Sequence, residues 1–150
     1  MSSFDPTSFL SSTVTGANDT VIVPVPRGQY MGIIEKVTAR QWNSKDGTKS
    51  GIAIDVQWIV EDAQVKAELG RDTVTVKQGI MLDTTPEGQL DVSKGKNIGL
   101  GRLRDAVGRN DPNVPFSFDQ LPGSSARIMV EHRPTDDGSV FAEVKAVSKL

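Results

Sequence analysis

The chain has 150 residues, of which 37% are hydrophobic and 24% are charged, so it is long enough to bury one core without disulfides or a metal. It contains no cysteine, which excludes a disulfide scaffold, a zinc finger and a thiol nucleophile and favours a cytoplasmic location. The net charge of −2 argues against a duplex-DNA binder with a basic surface, but it leaves room for a local cationic groove. We expect neither a membrane span nor a signal peptide, since no apolar run is long enough for a span and the N-terminus has no basic or apolar leader.

Residues 1–26 are predicted to form an arm, and residues 27–150 the folded domain. Asp5-Pro6 is typical of a helix N-cap followed by proline at the first helical position, and it predicts one short helical turn. Most of the arm is rich in Ser, Thr, Gly and Asn, which offer little to bury. Three of its side chains are nevertheless large and apolar: Phe4, Phe9 and Leu10. We therefore expect an arm that is poorly ordered alone or that packs on a second subunit.

Extended segments dominate the domain. Gln29 to Trp42 predicts a long first strand, with Gly32 placed for a bulge or bend. The alternation of apolar and polar residues from Ile52 to Val60 predicts the second strand. Three further strands are predicted at 73–82, 127–133 and 140–147, the last two joined across an Asp-Gly turn.

Between the third and fourth strands, apolar residues recur at helical spacing from Ile98 to Val107, and Gly108 stands where a helix C-cap is expected. Three strands, a helix and two strands, with a curled first strand, is the order of the OB-fold. We therefore predict a mainly β, five-stranded, OB-type Greek-key barrel with one helix between strands 3 and 4.

The same alternation predicts which side chains are buried. Ile33 and Val37 are placed on one inward face of the first strand, and Trp58 is in register with Ile54 and Val56. The full predicted core is Ile33, Val37, Ile54, Val56, Trp58, Val74, Val76, Leu103, Val107, Ile128, Val130 and Val144.

No pattern indicates a catalytic or metal centre. The single histidine, His132, has neither a second histidine nor a cysteine to form a metal cluster or triad with, so we assign it a structural or surface role. Gly95-Lys96-Asn97 lacks the earlier glycine and the Ser/Thr of a phosphate-binding loop. The neighbouring carboxylates Glu61-Asp62 and Asp136-Asp137 are interpreted as solvated turn residues. We expect no catalytic residue, no metal and no cofactor.

The remaining aromatic and basic residues indicate a binding surface. In an OB barrel the ligand lies across strands 2 and 3, between the loops that join strands 1–2 and 4–5. Single-stranded nucleic acid needs cations for its phosphates and flat faces for its bases. The predicted binding residues are Arg40, Trp42, Lys45, Lys49, Lys77, Arg133, Phe141 and Tyr30. Two alternatives stay open: Trp42 as an anchor beneath its loop, and Tyr30 as the closure of one end of the barrel.

Turn and helix markers are spread over most of the chain: Phe4-Asp5-Pro6, Pro26 to Tyr30, Ser44 to Gly47, Gly70-Arg71, Asn97 to Gly108 and Leu121 to Gly123. In these the chain resembles the bacteriophage OB-fold single-stranded DNA-binding proteins encoded near replication and recombination genes. The resemblance implies a protein that coats single strands in the host cytoplasm, with Trp42, Lys45 and Lys49 lining the groove. The ending Val147 to Leu150 departs from the acidic tail with which many single-stranded DNA-binding proteins recruit partners.

Three hypotheses follow for the function. The leading one is sequence-tolerant binding of single-stranded DNA, with homo-oligomerisation through the arm. The second is a virion or assembly protein that uses the barrel and the arm for protein contacts. The third is an enzyme with a metal site built from carboxylates alone.

Overall fold

The computed structural model describes residues 3–20 and 22–150. Its elements, in chain order, are α1 (Pro6–Leu10), β1 (Gly28–Asn43), β2 (Ser50–Val60), α2 (Ala63–Leu69), β3 (Thr75–Leu82), α3 (Ile98–Ala106), a short 3-10 helix (Phe118–Gln120), β4 (Ser125–Pro134) and β5 (Val140–Ser148). The five strands form a mixed sheet that closes in a ring, in the order β1-β2-β3-β5-β4. Neighbours are antiparallel, except that β3 and β5 pair in parallel at Lys77 and Glu143. The prediction of a mainly β fold with five strands is confirmed.

The helices are more numerous than predicted. α1 and α3 lie where the sequence places them, and the Asp5 carboxylate caps α1 by accepting from the Thr7 amide at 3.1 Å. The expectation of a single helix after the arm is wrong, because α2 stands between β2 and β3. Asp62 caps α2, since its carboxylate accepts from the Val65 amide at 3.0 Å, and it is therefore not merely a solvated turn residue.

The core fills the inside of the ring. Nine of the predicted core residues are buried: Ile54, Val56, Trp58, Val74, Val76, Leu103, Ile128, Val130 and Val144. Val37 and Val107 are half-buried and pack against them. The Trp58 indole Nε1 donates to Gln78 Oε1 at 3.0 Å, so this large buried side chain leaves no polar atom unpaired.

The first strand differs from its predicted register. Ile34 pairs with Trp58 but Lys36 pairs with Gln57, so Glu35 is an extra residue that forms a bulge. Before the bulge the inward residue is therefore Ile34, which is 1% exposed, and the placement of Ile33 in the core is wrong. After the bulge Val37 faces the buried Val56, as predicted.

Gly32 is not the bulge that the sequence suggested. A Cβ at this position would lie 2.9 Å from Trp58 Cε3 and 3.0 Å from Ile128 Cδ1. Glycine is needed here because β1 passes directly over two of the largest core side chains.

The arm joins the domain through Val25, which is buried and whose carbonyl oxygen accepts from His132 Nε2 at 2.7 Å. Of the structural and surface roles predicted for His132, this contact supports the structural one. In the described part of the chain, no helix is both long and apolar enough to cross a membrane.

Candidate nucleic-acid interface

Three neighbouring strands present a continuous surface to the outside of the ring, here called the outer sheet face. Directly opposite residues of antiparallel strands point to the same side, so the register defines its members. They are Lys36, Thr38, Arg40 and Trp42 on β1, Gly51, Ala53, Asp55 and Gln57 on β2, and Lys77, Gly79 and Met81 on β3. Three of the predicted binding residues, Arg40, Trp42 and Lys77, lie together on this face.

Trp42 lies directly on the backbone of its cross-strand partner. A Cβ on Gly51 would come within 2.7 Å of indole Nε1 and 2.9 Å of Cζ2, so only glycine admits the ring in this position. The indole is half-buried, and its Nε1 is the one buried side-chain polar atom of the described residues that lacks a hydrogen-bond partner. Across β2, the Met81 side chain is 57% exposed on the same face.

Arg40 extends from β1 across β2. Its Nε donates to Asp55 Oδ2 at 2.9 Å, while half of its side chain remains exposed. The opposite residue, Ala53, is fully buried. A Cβ on Gly79 of β3 would lie 4.0 Å from Arg40 Nη2, which shows how far the guanidinium reaches. The ion pair fixes this cation on the face and offsets part of its charge.

Two lysines flank the polar middle of the face. Lys36 and Lys77 line a shallow cavity of about 80 Å³, together with Thr38, Asp55 and Gln57. Lys36 was not predicted, because the cations of β1 were sought only next to the β1–β2 loop. The predicted inward position of Val37 already turns Lys36 outward, in alternation with Thr38 and Arg40.

The hairpin loops at the two ends of this face share one turn design. In the β1–β2 loop Asp46 accepts from Ser44 Oγ at 2.6 Å and from the Thr48 amide at 3.0 Å. In the β4–β5 loop Asp137 accepts from Thr135 Oγ1 and, at 3.0 Å, from the Ser139 amide. Each loop is therefore held by its own side chains.

These hydrogen bonds also set the protonation of the two turn aspartates. The bond from the Ser44 hydroxyl, followed by that from the Thr48 amide, lowers the pKa of Asp46 to about 2. The Thr135 hydroxyl and the Ser139 amide lower the pKa of Asp137 in the same way. Both carboxylates, which are ionised at neutral pH as in any ordinary aspartate, thus stay ionised further into the acid range.

The two loops differ in charge. The position between the hydroxyl residue and the turn aspartate holds Lys45 in the β1–β2 loop and Asp136 in the β4–β5 loop. Lys45 and Lys49 are both exposed, so the β1–β2 loop offers cations at its end of the face. The β4–β5 loop offers carboxylates instead.

Arg133 and Phe141 extend the outer surface onto β4 and β5. They are cross-strand partners, and Arg133 Cζ lies 5.6 Å from the centroid of the Phe141 ring, which is 41% exposed. Arg133 Nη1 also lies 3.9 Å from Glu143 Oε2, and Glu143 is the strand partner of Lys77. A carboxylate therefore stands between two of the predicted phosphate-binding cations.

Tyr30 is the predicted binding residue that the structure places elsewhere. It pairs with the buried Ile128 on the inner side of the sheet and packs against the core. Its hydroxyl donates to the Pro26 carbonyl at 2.7 Å, and burial, followed by the charge of Asp62, raises its pKa. This position agrees with the alternative that Tyr30 closes one end of the ring.

Within residues 3–20 and 22–150, no three His, Asp or Glu side chains are placed to hold a metal ion. A scan against protein-family models matched no family, and a search of curated proteins found no similar sequence. The functional assignment therefore depends on the physical properties of the outer sheet face.

Proposed function

We propose that this chain binds single-stranded DNA with little sequence preference, across the outer sheet face, and that its ring of strands is an OB-type Greek-key barrel. The strand order, with its parallel β3–β5 closure and α3 between β3 and β4, supports the barrel assignment. The resemblance noted above places such a protein in phage DNA replication or recombination, in the cytoplasm of the host.

The observation that carries the proposal is the packing of the Trp42 indole on Gly51. A half-buried indole lies on Gly51 at one end of a surface that also holds Arg40, Lys36 and Lys77. Stacking of a base on such a ring contributes about 1–3 kcal/mol and tolerates any base, because every base has a π-face. This accounts for sequence-tolerant binding.

The unpaired indole N–H adds a second reason for a ligand. A buried donor without a partner costs about 1–3 kcal/mol. A small rotation of the ring that keeps it on Gly51 would let Trp42 Nε1 donate to a base or phosphate oxygen and would recover that energy. Ligand binding and relief of the unpaired donor would then occur together.

The proposal is tested by titrating the protein with oligo-dT while recording tryptophan fluorescence. Trp42 should be quenched, whereas Trp58, which is buried and bonded to Gln78, should not respond. Trp42→Phe keeps a stacking ring and removes the signal, and Trp42→Ala should weaken binding by about 1–3 kcal/mol. If Trp42→Ala destabilises the fold, and the protein that stays folded binds oligo-dT as tightly as the wild type, Trp42 is a loop anchor.

The same titration at several salt concentrations tests the phosphate contacts. If Arg40, Lys45, Lys49, Lys77 and Arg133 neutralise about three to five phosphates, the log–log slope of affinity against salt should be about −2 to −3.5. An affinity that does not change with salt would contradict contacts between these cations and the DNA phosphates.

A virion or assembly protein is the second candidate function. It is favoured by the arm, in which every described residue from 3 to 20 is exposed, including the large apolar side chains of Phe4, Phe9 and Leu10. Failure to bind any oligonucleotide at low salt, combined with stable self-assembly, would favour this candidate over DNA binding.

A further inference from the structure

We propose that the arm of one copy of this chain docks in a groove beside α3 of a second copy, so that copies join head to tail. The contact needs no nucleic acid, and it therefore stands apart from the DNA binding proposed above.

The arm carries an apolar lobe that its own chain leaves uncovered. Phe4 and Phe9 stand ring against ring, with centroids 5.8 Å apart, yet they are 74% and 64% exposed. Leu10, at the end of α1, is 82% exposed. The Asp5 cap holds the turn that groups these side chains. Aromatic side chains gathered on a defined turn, and not packed on their own domain, are typical of a contact surface.

The groove beside α3 has a volume of about 790 Å³, which lies in the usual range for ligand sites. Exposed apolar side chains, those of Val92 and Ile98, form part of its lining. Lys96, Arg102 and Arg104 supply three cations around them, and Asp91 and Asp105 supply two carboxylates. The groove therefore combines apolar surface with a small excess of positive charge.

Charge complementarity favours the arm as the occupant of this groove. Residues 1–26 contain two carboxylates, Asp5 and Asp19, and no Lys, Arg or His. The lining of the groove has three Lys and Arg against two Asp. An acidic segment with exposed aromatic rings thus matches a groove with exposed apolar side chains and a net positive charge.

One cation of the groove is already fixed in place. Arg104 Cζ lies 4.2 Å from the centroid of the Phe116 ring, and its Nε donates to the Arg109 carbonyl at 2.9 Å. Little side-chain freedom would be lost at Arg104 on binding, which lowers the entropy cost of docking.

Within one chain, the arm residues that the structure describes do not line the α3 groove. Thr20 and Ile22 to Val25 line a different groove, beside Phe141 at the start of β5. When the arm of one copy fills the groove of the next, one arm and one groove stay free at the two ends. Such a heterologous contact repeats and produces a closed ring or an open chain of subunits, depending on the rotation between neighbours.

The test is sedimentation equilibrium of the full chain without DNA, over a wide range of protein concentration. We expect concentration-dependent self-association of the wild-type chain. The double variant F4S/F9S, which removes the lobe, and Arg102→Glu, which reverses a charge of the groove, should each raise the apparent dissociation constant at least about tenfold. Lys149→Glu makes the same charge change at an exposed position near the C-terminus and should leave association unchanged.

Mixing the two variants distinguishes this contact from every other mode of association. F4S/F9S keeps an intact groove and Arg102→Glu keeps an intact arm, so an equimolar mixture should form one-to-one dimers and nothing larger. Circular dichroism establishes that each variant is folded, and Lys96→Glu replaces Arg102→Glu if the latter is not. A monomeric wild-type chain, variants that associate like the wild type, or a mixture that stays monomeric would each overturn the proposal.

The DNA-binding proposal is tested separately on the same proteins. On an oligonucleotide short enough for one copy, F4S/F9S should bind as tightly as the wild type. If neither the wild type nor F4S/F9S binds the oligonucleotide, the DNA-binding proposal is wrong, and the arm contact is unaffected by that result.

Discussion

Gly51 determines how closely Trp42 lies against β2, because any side chain there would meet the indole within 3 Å. We predict that Gly51→Ala displaces the ring and weakens oligo-dT binding by about 1–3 kcal/mol, as much as loss of the indole itself. The fluorescence of Trp42 should shift to longer wavelength as the ring becomes more exposed. Both quantities are measured in one titration.

Gly101→Ala is the matched control for Gly51→Ala. Gly101 lies in α3, and a Cβ at this position would meet nothing within 4 Å, so both binding and fluorescence should stay at wild-type values. Unchanged oligonucleotide affinity in folded Gly51→Ala protein would mean that bases do not stack on Trp42.

Glu143 is the acidic side chain that opposes the predicted cations on β3 and β4. Its carboxylate is 3.9 Å from Arg133 Nη1, and its strand partner is Lys77. We predict that Glu143→Gln strengthens oligo-dT binding roughly two- to fivefold at low salt and makes the salt slope steeper, since both cations become free for phosphates. The exposed Glu87 provides the control: Glu87→Gln should have no effect. Unchanged binding by Glu143→Gln would show that the DNA strand does not pass over this position.

At the scale of elements, the shared turn of the two hairpin loops allows one charge to be exchanged without a change of backbone. Asp136 occupies the place that Lys45 holds in the other loop. The hydrogen bonds that hold each turn are accepted by the neighbouring aspartate, Asp46 or Asp137. We therefore expect Asp136→Lys to leave stability within about 0.5 kcal/mol of the wild type. If the DNA strand reaches the β4–β5 loop, Asp136→Lys should bind oligo-dT more tightly and with a steeper dependence of affinity on salt.

Lys45→Asp makes the reciprocal change at the other end of the face. It should weaken binding, and the pair of variants compares the two ends under equal turn geometry. If only Lys45→Asp changes the affinity, the DNA strand contacts the β1–β2 loop and does not reach β5.

The sequence predicted the elements of this fold better than their details. Alternation from Ile52 to Val60 identified β2 because, from Ile54 to Val60, fully buried inward side chains alternate with half-buried outward ones. The bulge at Glu35 carries no comparable signal, since a charged residue fits an outward position of a regular strand equally well. α2 was missed because it is one short helix with a single buried residue, Val65.

The same limits applied to the candidate site. Arg40 and Trp42 were found from their chemistry next to a polar loop, and the structure brings them together with Lys77. Gly51 could not be found, because its importance depends on a cross-strand partner. Tyr30 could be placed only by the register of β1 and β4, which puts its ring inside.

At the scale of the whole molecule, stability should depend on the ring interior. Val56 is fully buried between strands that pair on both sides of β2, so Val56→Ala should destabilise the protein by about 2–4 kcal/mol. Ile52, on the same strand but 37% exposed, is the comparison, and Ile52→Ala should cost clearly less. Urea unfolding followed by circular dichroism measures both, and equal losses would contradict the assigned core.

The bulge at Glu35 has a consequence for how this chain tolerates changes in length. Glu35 is the extra residue of β1, so its removal would leave Ile34 inward, Lys36 outward and Val37 inward and would give a regular strand with the same two faces. Removal of any one residue between Val37 and Trp42 would instead turn the side chains between the deletion and the bulge to the opposite face. Natural variation in length should therefore be found at the bulge or in the long segment between β3 and α3, and not elsewhere in β1.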